Sequence, residues 1–422
     1  MKKYRLDIAL ALLVFVVALT VRIFAAAHIW AGDLRFDMGD DDDYYQIALS
    51  LVQHGTFARE GLPTAYRMPL FPLFAAFWHL ILGPQPYTPI PIFLITSALI
   101  PVGTYILGRS LADRTVILGH SFADRTVALI GALIIAFDGG YILYSHHYMT
   151  ETLFSLLVLA SMLAVWRLRI TQHWCWAMGA GLLLAGATLT RANFGPFVGL
   201  VALWVLWHGR EQFSRALRNV SIIGGLVFVL WTPWVVRNYL VFDKFIPFTT
   251  QAGNVYYGIY NDEVTGDNPN LAYGYWIWRI PHPSAIPGHT WDEASLDVYQ
   301  REVSREWISA NPGKALKVAL MQPVFLWMPD GPDISSWTGS ILLGLPTLFV
   351  FALRRRQPEL VLWLTLVVTM SALTVISVGV ARYQIPLRPI LAVTTVMFIA
   401  GLAQSLILFR RRYAPGSTTR SN

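Results

Sequence analysis

Ten apolar runs long enough to cross a bilayer decide what this chain can fold into. They lie at about 7–28, 89–109, 126–144, 152–168, 174–190, 194–208, 220–236, 336–353, 360–378 and 389–409. Hydrocarbon offers the backbone no hydrogen-bond partner, so a run of about 20 such residues crosses as a helix that satisfies its own N–H and C=O groups. The expected fold class is an all-α polytopic membrane protein, a bundle of about ten transmembrane helices. Composition confirms the solvent: 14% of the 422 residues are charged, where soluble domains carry about a quarter. The 16 Trp fit helix ends at membrane interfaces.

Charge placement sets the sidedness. The net charge of +7 could suggest nucleic acid, but Lys and Arg fall in short clusters between apolar runs. If the spans alternate, one side collects Lys2, Lys3 and Arg5; Arg109, Arg114 and Arg125; Arg167 and Arg169; Arg210, Arg215 and Arg218; Arg354 to Arg356; and Arg410 to Arg412. That side is cytoplasmic by the positive-inside rule, and both termini lie there. The alternation requires that Met68–Leu82 and Lys314–Trp327, both short and interrupted by proline, be interfacial or re-entrant helices. The first run lacks a small-residue cleavage site and reads as a retained span, not a signal peptide. A single cysteine, Cys175, flanked by Trp174 and Trp176, excludes an intramolecular disulfide framework and a cysteine zinc site.

Three parts follow. Residues 1–240 form a transmembrane module with a first outer loop at 29–88, residues 241–335 an extracytoplasmic cap with an interfacial helix, and residues 336–422 the last helices and a basic tail. In the cap, Thr290-Trp291-Asp292-Glu293 has capping-box spacing. It opens a helix with Leu296, Tyr299, Val303 and Trp307 on one face that stops at Asn311-Pro312-Gly313. A duplication, Leu107–Val116 and then Leu118–Val127, has an offset of eleven, about three helical turns. It reads as a neutral lengthening of helix ends.

The candidate chemistry gathers on the outer side. Asp40, Asp41, Asp42 and Asp43 are consecutive and repel one another. Either they open a solvated helix, where carboxylates favour the N-terminus, or one is presented as a general base or metal ligand. Glu151 enters an apolar helix on the same side, where it either caps that helix or is used or paired. His146 and His147 are adjacent and point apart, and no third ligand is evident. No cofactor is therefore expected, with a divalent metal a minor option. Arg67, Arg191, Arg237 and Arg382 break the positive-inside rule. A phosphate at the membrane surface would explain them, since guanidinium binds it bidentately; snorkelling or pairing with carboxylates would also.

The stretch Gly39-Asp40-Asp41-Asp42-Asp43-Tyr44, with Ala48, His54-Gly55 and Ala65-Tyr66-Arg67-Met68-Pro69-Leu70-Phe71-Pro72, resembles the first outer loop of GT-C type membrane glycosyltransferases. The branch it resembles is the protein mannosyltransferase and aminoarabinose transferase-like one. Thr150-Glu151-Thr152-Leu153-Phe154, Leu189-Thr190-Arg191, Pro233-Trp234-Val235-Val236-Arg237-Asn238 and Arg382-Tyr383-Gln384-Ile385-Pro386 are similar to further stretches, in order over most of the chain. The resemblance implies a polyprenyl-phosphate sugar donor, an acceptor protein, lipid or glycan, and inversion at the anomeric carbon. It puts the catalytic carboxylate on Asp40, four residues before Tyr44, with Asp41 and Asp43 in reserve because the run leaves the register ambiguous. Glu151 would assist. Tyr44, Arg67, Arg191, Arg237, Asn238, Arg382 and Tyr383 would bind substrate. The absence of a WWD-type signature and of a long soluble C-terminal region argues against whole-glycan transfer to asparagine. The competing expectation, a transporter or lipid flippase, would place ionisable residues at mid-membrane depth.

Overall fold

The computed structural model describes residues 2–30, 40–112, 121–265, 292–328, 334–355 and 357–413. Residues 113–120 of the duplicated segment, the stretch before Asp40, and Thr290 and Trp291 lie outside them. The first part holds α1 (Lys2–Trp30), α2 (Asp40–His54), strands β1 (Ala58–Arg59) and β2 (Leu62–Pro63), α3 (Leu70–Leu82), α4 (Ile90–Ala112), α5 (Ser121–Ala136) and α6 (Gly139–Leu143). Then come α7 (Glu151–Thr171), α8 (Trp174–Thr190), α9 (Gly195–His208), α10 (Phe213–Phe242), α11 (Gln251–Ile259) and α12 (Asp262–Thr265). The last part is α13 (Glu293–Ala310), α14 (Pro312–Trp327), α15 (Ile334–Arg355), α16 (Pro358–Val375) and α17 (Arg388–Tyr413), with a 3₁₀ turn at Ala381–Leu387 leading into α17.

Among the described residues six helices are long and apolar enough to span, and α5 with α6, bent by 52°, makes a seventh if the pair is counted as one span. Three of the ten expected spans are shorter apolar helices, at Trp174–Thr190, Ala192–His208 and Ile341–Leu353, so ten is an approximate number. α3 and α14 appear where interfacial helices were expected, at 13 and 16 residues. α7 is the buried centre, packed on α4 and α8. Phe154, Val158, Leu159 and Val165 on it lie in the main core. α1 and α10 turn Leu12, Val16 and Phe24, and Phe228, Val229 and Leu240, outward as a surface for lipid.

Ion pairs mark the two ends of the bundle. At one end Asp7 of α1 accepts from Arg109 at 3.2 Å and Arg125 at 2.8 Å, and Arg169, late in α7, meets Glu359 of α16 at 2.7 Å. The other end carries α2, the first residue of α7, the last of α8 and the turn before α17.

The cap departs from expectation in two ways. Asp292 is the N-cap of α13, its carboxylate accepting from Ser295 N. Glu293 therefore sits in the first turn and faces outward from the helix. It accepts from Thr64 Oγ1, Ala65 N and Thr250 Oγ1 at 2.5–2.7 Å, pinning α13 to the first loop. The fully buried face of α13 is Ala294, Asp297, Gln300 and Ser304, with Leu296, Tyr299, Val303 and Trp307 only half-buried. α11 approaches too closely for large side chains: Gly253 N donates to Asp297 Oδ1, and a Cβ on Gly253 would strike the α13 backbone. α13 ends at Asn311 as expected, and Pro312 at once opens α14.

Candidate active site

Four aspartates at the start of α2 point in four directions, because successive residues on a helix are turned by about 100°. Asp40 faces a cavity of about 210 Å³ that Tyr44, Arg67, Glu151, Arg191, Arg382 and Tyr383 also line. Asp41 is fully buried on another side, its Oδ2 3.2 Å from His147 Nδ1. Asp42 accepts from Gln46 of its own helix. Asp43 takes Arg59 and Arg67, each at 2.8 Å. Of the four, only Asp40 lines the cavity.

Each charged residue arrives from a different element. Strands β1 and β2 pair Ala58 with Pro63 and Arg59 with Leu62. Their two-residue turn has Glu60 and Gly61 at φ of 52° and 78°, the positive values that twist a tight hairpin correctly. The hairpin delivers Arg59 and then Arg67 over α2. Glu151 is the first residue of α7, Arg191 caps the C-terminus of α8, and Arg382 sits in the 3₁₀ turn before α17.

Together these residues form one continuous network. Arg67 and Arg382 each reach Asp40, on opposite carboxylate oxygens, at 2.5 Å. Arg382 also lies 3.9 Å from Glu151, and Arg191 bonds the same Glu151 oxygen. Arg191 is steadied by Thr150 Oγ1 at 2.8 Å and stacks over Tyr383, while Arg67 lies over the Tyr44 ring. Four guanidiniums, Arg59, Arg67, Arg191 and Arg382, face three carboxylates, Asp40, Asp43 and Glu151, leaving one positive charge in excess within this network. Four buried atoms on cavity residues have no hydrogen-bond partner among the described residues: Glu151 Oε2, Arg191 Nη1, Arg382 Nε and Asn193 Oδ1. A buried polar atom left unpaired is costly, and all four belong to residues around this one cavity.

Burial works to raise the Asp40 carboxyl, and the charges of Arg382 and Arg67 outweigh it, holding the group at about 2 against an ordinary 3.8. A carboxyl depressed on folding stabilises the protein above its unfolded value and loses that contribution as the pH falls through the folded one. The Asp40 network is therefore expected to be unchanged from pH 9 down to about pH 5. It loosens between about 3.8 and 2. Tryptophan fluorescence of detergent-solubilised protein across this range checks it; a transition centred near pH 6 would contradict it.

Two expected substrate residues lie elsewhere. Arg237 donates to the carbonyls of Thr64 and Phe57 at 2.7 Å, stacked among Phe57, Trp234 and Phe242. Asn238 is fully buried and donates to Ile246 O. Both fasten the first loop and the start of the cap. The cavity also draws on residues the sequence did not single out, namely Thr190, Asn193, Thr249, Gln251 and Ser377. Asn193, in the break between α8 and α9, is the one that polarity within apolar runs could have flagged. Among the described residues no three His, Cys, Asp or Glu side chains converge as a metal site.

Comparison with solved structures places the fold. The archaeal oligosaccharyltransferase AglB from Archaeoglobus fulgidus, in complex with an inhibitory peptide and a dolichol-phosphate, matches with a TM-score of 0.57 at 13% identity, over 97% of this chain and 52% of that one. An Archaeoglobus fulgidus oligosaccharyltransferase tethered to an acceptor peptide with the NVT sequon gives 0.55 at 13%, over 97% and 51%. ArnT from Cupriavidus metallidurans bound to undecaprenyl phosphate gives 0.42 at 14%, over 96% and 78%. The chain spans about half the length of the oligosaccharyltransferases it matches. No family model and no curated protein matches it. The chain is a multi-pass membrane protein with the GT-C fold. The fold by itself does not single out a branch within that class.

Proposed function

We propose that the chain is a membrane glycosyltransferase moving a single sugar from a polyprenyl-phosphate donor to an acceptor hydroxyl, with inversion, and with Asp40 as general base. The observation that carries this reading is the Asp40–Arg382–Glu151–Arg191 network around a cavity with unsatisfied polar atoms. A sugar phosphate is a weakly basic leaving group, so no strong general acid is needed. What the reaction requires is a carboxylate for the acceptor proton and cations for the phosphate. Arg382 and Arg191 supply the cations, and Arg67 holds Asp40 in place.

The acceptor oxygen bonds to the anomeric carbon as that carbon's bond to the phosphate oxygen breaks. The hydroxyl proton passes to Asp40, and the bonding pair leaves on the phosphate. When the donor phosphate draws Arg382 away, Asp40 loses one of its two counter-cations and becomes a stronger base. The base is thus activated by the donor. Glu151 orients sugar or acceptor, and Thr190, Asn193, Thr249, Gln251 and Ser377 offer neutral partners for sugar hydroxyls. A volume of about 210 Å³ is below the roughly 300–1,000 Å³ of sites that enclose a drug-sized ligand, which favours one sugar over an oligosaccharide. By the positive-inside rule the site opens extracytoplasmically, opposite the Asp7, Arg109 and Arg125 cluster. Mass spectrometry of lipid co-purifying with the detergent-solubilised protein tests the donor class. Polyprenyl phosphate or its sugar adduct is expected; bulk phospholipid alone would count against it.

A further inference from the structure

We infer that three buried charges inside the bundle, Arg22, Asp138 and Arg388, form a positioning device that locks the Arg382 turn against the segment leading to Glu151. The inference rests on the proposed function, in which Arg382 and Glu151 act on one substrate.

Breaking a helix inside a membrane strands backbone groups where no water can reach them. The break between α5 and α6 is bridged by side chains on both sides. Asp138 Oδ1 accepts Tyr141 N at 2.8 Å, capping α6. Arg22, fully buried in α1, donates from Nη1 to the carbonyls of Ala136 (the last residue of α5) at 3.1 Å and Ala18 at 3.0 Å. Its Nε donates to Ser97 Oγ at 2.7 Å, and that hydroxyl donates to Tyr141 O at 3.0 Å. A cation thus closes the carbonyl end of α5, the sign that end favours.

The same cluster reaches across to the last helix. Arg388, the first residue of α17, donates from Nη1 to both oxygens of Asp138, at 2.8 and 3.0 Å. Tyr141 donates its hydroxyl to Ile385 O at 2.7 Å, inside the turn that carries Arg382. Gly140 makes the approach possible, since a Cβ there would come within 2.5 Å of Arg388 Nη1. Glu151 lies ten residues beyond Tyr141, and Arg382 three before Ile385. The two halves of the site are therefore tied to one another through this buried cluster as well as across the cavity. Ionisable groups at this depth were the mark of the transporter expectation; here they hold backbone ends and one another.

Tyr141→Phe removes the hydroxyl, with its hydrogen bond to Ile385 O and its contact with Ser155, and keeps the ring. In the full chain in detergent, amide exchange of residues 382–387 should quicken about ten-fold. Single-turnover sugar transfer should fall about 10–100-fold, the scale of a misplacement near 1 Å, with KM for the lipid donor raised by less than in Arg382→Ala. Asp138→Asn should quicken the same amides. Unchanged exchange at 382–387 overturns the inference, and so does quickened exchange with a wild-type transfer rate. A rate loss that merely tracks the loss of folded protein overturns it as well. If the wild-type chain moves no sugar at all, the proposed function fails, and the exchange result alone decides the coupling.

Discussion

Asp40→Asn is expected to lower the sugar-transfer rate about 10²–10⁴-fold, the usual worth of a general base, while tightening the protein's hold on free polyprenyl phosphate. The opposite signs come from one geometry. Asparagine keeps the shape of aspartate, so the cavity and its lining survive. It accepts no proton, so the acceptor hydroxyl loses its base. It carries no charge, so Arg382, 2.5 Å from Asp40 in the resting protein, is released to a phosphate, while Arg67 stays with Asp43. Equilibrium binding of a polyprenyl phosphate and single-turnover transfer, measured on the same folded preparation, separate the two effects. A variant that transfers at the wild-type rate would remove Asp40 from the chemistry. One that loses affinity and rate together would make Asp40 a structural partner of its arginines.

Arg382→Ala is expected to weaken phosphate binding about 10–100-fold, the range of one hydrogen bond to a charged group, and to slow transfer further. Arg382 touches Asp40 directly and lies 3.9 Å from Glu151, so its loss leaves both carboxylates short of a cation. Arg382→Lys should rescue little, because a single ammonium cannot reproduce the forked contact. Donor titrations monitored by transfer rate would show a raised KM together with a lowered kcat. A KM left at the wild-type value would move the phosphate to Arg191 instead, and the site would need redrawing around α8.

How legible the site was depended on the distance over which each residue acts. Asp40 and Glu151 stand out because a carboxylate beside an apolar run is expensive wherever it is. Arg67, Arg191 and Arg382 stand out because they sit on the side where cations are depleted. Their common cavity required α2, α7, α8 and the turn before α17 to converge, which no local pattern specifies. Arg237, which carries the same charge signal, and Asn238, which the resemblance alone picks out, face elsewhere, as fasteners of the hairpin and the cap. An arginine on the wrong side needs a partner, and sequence does not say whether that partner is a phosphate or two backbone carbonyls. Arg22 has no local signal because a single charge inside a long apolar run barely alters its average, and Arg388 borders the last run as many helix-end arginines do. Asp292 and Glu293 are legible as part of a helix start, but the bonds of Glu293 to Thr64 and Thr250 cross the chain and have no local signal.

The sequence by itself determined that the chain is a helical membrane bundle, which short apolar helices stop short of spanning, and on which end its cations collect. Those properties follow from hydrophobicity summed along about 20 consecutive residues, and from charge near their ends. Tertiary structure alone decided which of four neighbouring aspartates lines the cavity, which arginines meet it, and how a broken helix is tied to the turn that carries Arg382. Those are choices among residues of identical chemistry, made by helix rotation and by contacts up to 342 residues apart, and no local average records them.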